Sequence, residues 1–263
     1  MRIALALEYD GAAFCGWQTQ PSGCAAQDAL ERALAQVAGR KMATVCAGRT
    51  DAGVHALHQV VHFDATVVRP LSAWTRGVNS ALPSAIAVTG ACEVADDFHA
   101  RYGARERRYR YLLLNRPARP ALEARRVGWC HRPLDAGRMH AAARMLVGRH
   151  DFSAFRAAEC QARSPVRELR HIGVARHGDV IVFDLAADAF LQHMVRNIVG
   201  CLIYVGNGKH PPEWLAEVLA GRDRRRAAPT ADAAGLYLAH VLYDEKFPLA
   251  PPARPALFEV AWE

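Results

Sequence analysis

The sequence predicts a protein of the α/β class and α+β type, built from two ferredoxin-like or RRM-like α/β halves whose antiparallel sheets flank a central basic cleft. Three observations lead there. Over the first hundred residues the hydrophobic period switches in the order β-α-β-β-α-β, the split arrangement that lays helices on one face of an antiparallel sheet. A second α/β set begins near Arg105 with no low-complexity linker before it. Arginine crowds the region where the sets join: nine arginines lie between Arg101 and Arg126, opposed only by Glu106 and Glu123. The expected divisions are an N-terminal half over 1–105, a C-terminal half over 106–246, and a tail over 247–263. That tail carries Pro248, Pro251, Pro252 and Pro255 and shows no periodicity.

Each element has its own signal. Residues 2–9 alternate as a strand, and Leu30, Leu34 and Val37 recur on one face of a helix expected over 25–39. Strands are expected over 41–47, 57–64 and 86–95, with a helix over 71–82. In the stretch GRTDAGVHALHQVVHFD, residues Leu57, Gln59, Val61 and Phe63 alternate with His58, Val60 and His62, the pattern of a strand with one buried face. The second half opens on the strands YRYLLLN and VGWCH, followed by the helix DAGRMHAAARMLVG. Two alternating strands flank the turn HGD, and then come the apolar helix FLQHMVRNIVGCLIYVG, the helix PPEWLAEVLAG and the strand LYLAHVLY.

Composition narrows the function classes. With 51% hydrophobic and 22% charged residues over 263 positions, the chain can bury a large core and is not a disordered sequence. No apolar run approaches the roughly 20 residues that cross a bilayer, and the first ten residues alternate and carry Glu8 and Asp10, unlike a signal peptide. The expectation is a cytoplasmic protein without membrane attachment. Seven cysteines without CxxC spacing argue against a thiolate zinc site or a disulfide framework, so all are expected reduced and mostly buried. A net charge of +7 and the arginine clusters, including Arg222, Arg224, Arg225 and Arg226, suit a polyanionic partner.

Few residues are placed for chemistry. Asp51 lies in a turn between Gly48 and Gly53, where a side chain is presented at the rim of a sheet. On local sequence alone a structural role for such an aspartate comes first. The helix from Phe190 shifts that balance: it is apolar around most of its circumference, yet His193, Arg196 and Asn197 share one face. A buried arginine is costly unless a carboxylate pairs with it, which leaves two readings of Arg196 and an aspartate from the other half: two ends of one cleft, the pairing keeping the aspartate ionised as a nucleophile requires, or a structural salt bridge between the halves. Tyr109 and Tyr111 share one strand face and Arg108 and Arg110 the other, an arrangement suited to stacking bases near a basic surface, although strand tyrosines more often serve ordinary packing. His55, His58 and His62 do not complete a metal-ligand pattern, and no metal is expected.

These residues, in their order and spacing, resemble the TruA family of tRNA pseudouridine synthases. The resemblance runs from Tyr9 to about Tyr243 and rests on EYDGAAFCGWQTQ, GRTDAGVHA, QVVHFD, FHARYGARERRYRY, SPVR, FLQHMVRNIVG and APTADAAGLYL. It implies isomerisation of uridine to pseudouridine at positions 38, 39 and 40 of the tRNA anticodon arm, by a homodimer that needs neither metal nor cofactor. Residue by residue it implies that Asp51 is the catalytic carboxylate and that Arg49 helps hold the target nucleotide out of the stack. Tyr109 is then the tyrosine that stacks on the uracil, Arg196 the partner of the aspartate, and Leu236 or Leu238 the leucine lining the uracil pocket. His193, Asn197, Arg107 and Arg108 complete the expected substrate contacts. The chain departs from the family at NSALPSA, where Ser84 and Ala85 stand in place of an acidic residue, and at Ala25-Ala26-Gln27. Neither departure touches a group assigned to the chemistry. Two rival readings are set aside: a non-catalytic RNA-binding module, and a metal-dependent hydrolase built on the histidines.

Overall fold

The structure is a computed structural model and describes residues 1–247 and Leu249; most of the proline-rich tail lies outside the described residues. The chain divides into two compact units, the first comprising Met1–Arg105 and the chain from Tyr237 onward, the second Glu106–Leu236.

In the first unit β1 (Arg2–Tyr9) sits between β4 (Ile86–Val94) and β3 (His55–Asp64), antiparallel to both, and the short β2 (Val45–Cys46) pairs antiparallel with β3. This is the expected split order. Helix α1 (Ala26–Ala38) buries Leu30, Leu34, Ala29 and Ala33 along one stripe. Asp28 draws its start together by accepting from the Ala25 amide at 3.0 Å. Gly39, left-handed at φ +72°, closes its end by donating to the Ala35 carbonyl.

Three elements depart from expectation for visible reasons. β2 is two residues long because the Thr44 amide and hydroxyl both donate to Glu31 Oε1 at 2.9 Å, drawing residue 44 toward α1 instead of the strand ladder. The helix expected over 71–82 is a π-helical turn, Ala73–Gly77, flanked by one-turn helical residues at 71–72 and 78–79. Asn79 ends it by exchanging two hydrogen bonds with the Val88 backbone. β3 is buried on both faces rather than one, with His58, Gln59, Val60 and Val61 all at 1% exposure or less.

The second unit begins with β5 (Glu106–Asn115), beside which β6 (Gly128–Cys130) runs parallel. Helix α2 (Ala136–Arg144), capped by Asp135 Oδ1 accepting from the Arg138 amide, leads into β7 (Gly148–Asp151), a strand that GRHD does not announce. β8 (Val166–His177) and β9 (Val180–Ala187) form the expected hairpin, and the antiparallel order runs β5-β9-β8-β7. α3 (Met194–Gly206) and α4 (Trp214–Gly221) follow. β10 (Leu236–Leu242), expected in the second half, instead groups with the first unit, where Tyr237 and Leu238 pair in parallel with His55 and Ala56.

α3 starts four residues later than the apolar period suggests. His193 takes a left-handed conformation at φ 62°, and the preceding Gln192 carbonyl accepts from the Ala157 amide instead of opening a helix. His193 therefore lies just outside the helix that carries Arg196 and Asn197. Among the described residues no helix is long and apolar enough to cross a membrane. Cys15 and Cys24 are joined in a disulfide, against the expectation of seven reduced thiols. The turn at Gln20–Gly23 folds the chain back so that Cys15 donates its amide to the Cys24 carbonyl, a proximity that sequence spacing alone does not reveal. Cys160 and Cys201 are buried free thiols, while Cys46, Cys92 and Cys130 are half-buried.

Candidate active site

In the first unit the turn from Gly48 to Val54 is held at several of its peptides. Gly48 offers its carbonyl to Gln59 Nε2 at 2.6 Å, and Thr50 offers its carbonyl to the Trp17 amide at 3.0 Å. The Val54 amide donates to the Asp51 carbonyl at 3.1 Å, closing a turn through Gly53, whose φ of +79° suits glycine. The Thr50 side chain is buried and shares a hydrogen bond of 2.8 Å with the Tyr9 hydroxyl. Packing reinforces these bonds. A Cβ at Gly11 would meet the Val54 carbonyl oxygen at 2.0 Å, and one at Gly16 would meet the Thr50 carbonyl at 3.1 Å. With the backbone spent on anchors, Arg49 is exposed and Asp51 half-buried, so an arginine and a carboxylate are presented from a rigid base.

The histidines of β3 have a structural explanation. Gly11, Val241 and Ala100 donate their amides to Nδ1 of His55, His58 and His62 at 3.0, 3.3 and 3.1 Å respectively. Each ring thus satisfies a buried backbone donor with the lone pair a metal would need. His55 also stacks on Tyr237 at 4.6 Å, joining the end of β3 to β10. Leu238, next along β10, is fully buried.

In the second unit Tyr109 is buried to 8% exposure on β5 and meets Phe190 edge-on at 5.0 Å. Tyr111 does not share a stacking role with it. It is 1% exposed, packs on Phe183, and lies so close to Gly128 that a Cβ there would meet its hydroxyl at 2.2 Å; burial pushes its pKa up. Arg196, in the first turn of α3, donates Nε to the Ala231 carbonyl at 2.8 Å, and Ala231 returns its amide to the Arg196 carbonyl at 3.1 Å. This reciprocal pair fixes the guanidinium stem. Asn197 is wholly buried: its Nδ2 donates to the Phe155 carbonyl at 2.7 Å and its Oδ1 accepts from Thr230 and Arg224. Those contacts tie α3 to the segments at 155 and 224–230. Leu236 is 5% exposed at the start of β10.

The arginine cluster is partly neutralised from within. Arg110 is 3% exposed at its side chain and bidentate with Asp184, its register partner on β9, at 2.7 and 3.0 Å. Arg107 is buried and donates to the Asp188 carbonyl at 2.7 Å, while Arg108 and Arg170 share Glu106. Arg225 is bidentate with Asp223, holding that carboxyl down to about 2, and Arg224 faces inward to Asn197. Arg101, Arg105, Arg125 and Arg126 lie at the surface, Arg105 in an ion pair with Asp244 at 2.5 Å. The charge run thus combines cross-strand structural pairs with exposed cations, a distinction that spacing alone does not make. Tyr9 and Gln59, which hold the Arg49–Asp51 turn, carried no assigned role in the sequence, although both fall inside segments that signalled the family resemblance.

Comparison with known proteins bears on this arrangement. A family profile described as tRNA pseudouridine synthase matches residues 5–103 and 142–244. A protein of Thiobacillus denitrificans named tRNA pseudouridine synthase A is 62% identical over 249 residues, covering 95% of this chain and 96% of the relative. Proteins of the same name from Burkholderia thailandensis and Dechloromonas aromatica are each 56% identical, covering 100% and 96% of this chain and 96% of each relative.

Proposed function

We propose, from the premise that this chain belongs to the tRNA pseudouridine synthase family, that it isomerises uridine to pseudouridine in the anticodon stem-loop of tRNA, at positions 38, 39 and 40. The observation that supports it most directly is the turn at 48–54. Three hydrogen bonds to its backbone, one to the Thr50 side chain and two close-packed glycines hold it while Arg49 and Asp51 keep access to solvent.

The reaction breaks the bond from ribose C1′ to N1 of the uracil, turns the base and forms a bond from C1′ to C5; N1 gains a proton and C5 loses one. No electrons are exchanged with another molecule, so the chemistry calls for no redox cofactor, and a nucleophile, a base and a pocket are the groups it requires. Asp51 is the nucleophile, an orientation-sensitive role that a rigid turn serves well. Arg49 supports the nucleotide once it leaves the stack, a step costing a few kcal/mol. Tyr109, held edge-on by Phe190, stacks on the uracil, and Arg196 takes the cationic role that the family correspondence gives it. Leu236 lines the base pocket, with Leu238 behind it in the core. His193, Arg108 and Arg107 remain proposed substrate contacts, Arg107 being the most enclosed of the three. The protein acts in the cytoplasm as a homodimer, and exposed arginines contact tRNA phosphates, so affinity falls steeply with salt.

The test is tritium release from tRNA labelled at uridine C5, with wild type beside Asp51→Ala and Asp51→Asn, each checked for folding and tRNA binding. Release by wild type and loss of release in both variants, with binding kept, supports the assignment. Near wild-type release by the variants removes Asp51 from the mechanism, and no release from any of the proteins removes the synthase reading.

A further inference from the structure

A buried polar chain runs from β3 through β1 into the turn that presents Asp51. The Val60 amide donates to Gln59 Oε1 at 3.2 Å, and Gln59 Nε2 donates to the Gly48 carbonyl at 2.6 Å while lying 3.5 Å from the Tyr9 hydroxyl. The Tyr9 hydroxyl in turn is hydrogen-bonded to Thr50 Oγ1 at 2.8 Å. Gln59 is wholly buried, Tyr9 is 5% exposed and Thr50 7%. The chain therefore grips the turn at Gly48 and at Thr50, on either side of Arg49 and immediately before Asp51.

We propose that Tyr9 is a positioning residue for the pseudouridylation reaction, acting through Thr50 to set the orientation of the Asp51 peptide; this rests on the assignment of Asp51 above. The strand ladder does not need the hydroxyl. β1 is bonded to β3 and β4 by backbone groups along its length, and the Tyr9 ring packs against Phe14 and Trp17, with centroids 6.3 and 5.8 Å away. Those contacts survive in phenylalanine. What phenylalanine lacks is the partner for Thr50, and an unpartnered buried hydroxyl turns toward another acceptor. Thr50 is the residue next to the nucleophile, so losing the bond that ties its side chain to Tyr9 lets the backbone carrying it shift, and the Asp51 peptide moves with it. Reactions that depend on an aligned nucleophile lose about a hundredfold for a displacement near 1 Å. The same loop also meets Trp17 through the Thr50 carbonyl, which limits the movement to less than that.

The experiment measures kcat and KM for C5-tritium release from tRNA with wild type, Tyr9→Phe, Thr50→Val, Thr50→Ser, the Tyr9→Phe/Thr50→Val pair and Asp51→Asn, with urea melts of each. The expected result is a fall in kcat of about 10- to 100-fold for Tyr9→Phe and Thr50→Val with KM within about threefold. Thr50→Ser, which keeps the hydroxyl, retains near wild-type kcat, and the double variant is no worse than either single one because both remove the same bond. Wild-type kcat in Tyr9→Phe beside an inactive Asp51→Asn overturns the positioning role alone. A loss in Tyr9→Phe that appears only in KM, that Thr50→Ser shares, or that matches the unfolded fraction in the melts also overturns it. Turnover by Asp51→Asn removes the assignment on which it rests.

Discussion

Acid is expected to loosen the first unit through one histidine. His62 is 4% exposed on β3, accepts the Ala100 amide at Nδ1 at 3.1 Å, meets Phe98 edge-on at 5.9 Å and lies 5.0 Å from His99. Burial, then the Arg2 guanidinium, then His99 lower its pKa from 6.5 to about 4; Asp64 opposes them weakly. A second proton on Nδ1 would also break the bond from Ala100. The sign follows from which state binds the proton first. The unfolded chain protonates this ring near 6.5 while the folded protein resists until about 4, so the stabilisation is complete above pH 6.5 and is lost as pH falls toward 4. Each pH unit in that window costs up to about 1.4 kcal/mol, and about 2 kcal/mol is lost by pH 4.5 once screening by solvent is allowed. Urea unfolding of wild type and His62→Gln between pH 7.5 and 4.5 separates this effect from carboxylate titration, because the glutamine carbonyl can accept the Ala100 amide but does not titrate. Wild type is expected to lose about 2 kcal/mol more than the variant over that range. Parallel pH slopes, or a His62 ring that titrates near 6.5 by NMR in the folded protein, would refute the reasoning.

Three further outcomes follow from packing, cross-linking and charge. Gly11→Ala drives a Cβ into the Val54 carbonyl, so the turn carrying Asp51 must move; about 1 to 3 kcal/mol of stability and most turnover should be lost together, as read by melts and tritium release. Reducing the Cys15–Cys24 disulfide, which closes a ten-residue loop, should cost about 2 to 3 kcal/mol and lower Tm by several degrees; calorimetry with and without a phosphine reductant checks this, and an unchanged Tm would count against it. Arg110→Leu strands Asp184 with little solvent access and should destabilise by about 3 to 5 kcal/mol, whereas Arg101→Ala on the surface should change stability by less than about 0.5 kcal/mol; equal effects in denaturant titrations would contradict the division of the arginine cluster.

Local patterns announced most of the strands and helices because each has its own period. The alternation of residues 2–9 and the stripe of Leu30 and Leu34 appear in the structure at nearly the same bounds. What escaped were decisions made by distant groups. Glu31 shortens β2 from 13 residues away, Asn79 ends the π-helical turn through Val88, and a left-handed His193 delays α3 although the apolar period runs on without a break. Apolar periodicity reports what can be buried, whereas a helix start depends on a single backbone angle. The candidate site shows the same divide. The compact motif around Asp51 stands out in the sequence, but Tyr9 and Gln59 lie 41 and 9 residues from Thr50 and each meets the turn through one polar atom, a signal with no period. The arginine run gave the correct composition and no indication that Arg110 was already matched to Asp184 across a strand pair.

The return of β10 to the first unit sets an order of events during synthesis. His55 and Ala56 find their parallel partners in Tyr237 and Leu238, and the His58 ring finds its donor in Val241, so the strand that follows the Asp51 turn lacks part of its pairing until some 180 further residues have been made. A nascent chain stalled after Arg105 would carry β1 to β4, with β2 covering β3 at Val61 and His62 and the stretch at His55 and Ala56 open to whatever strand is nearby. The last-made strand thus acts as a closure, and a ribosome that releases the chain early releases a protein whose Asp51 turn has been built but whose supporting strand has an unguarded edge.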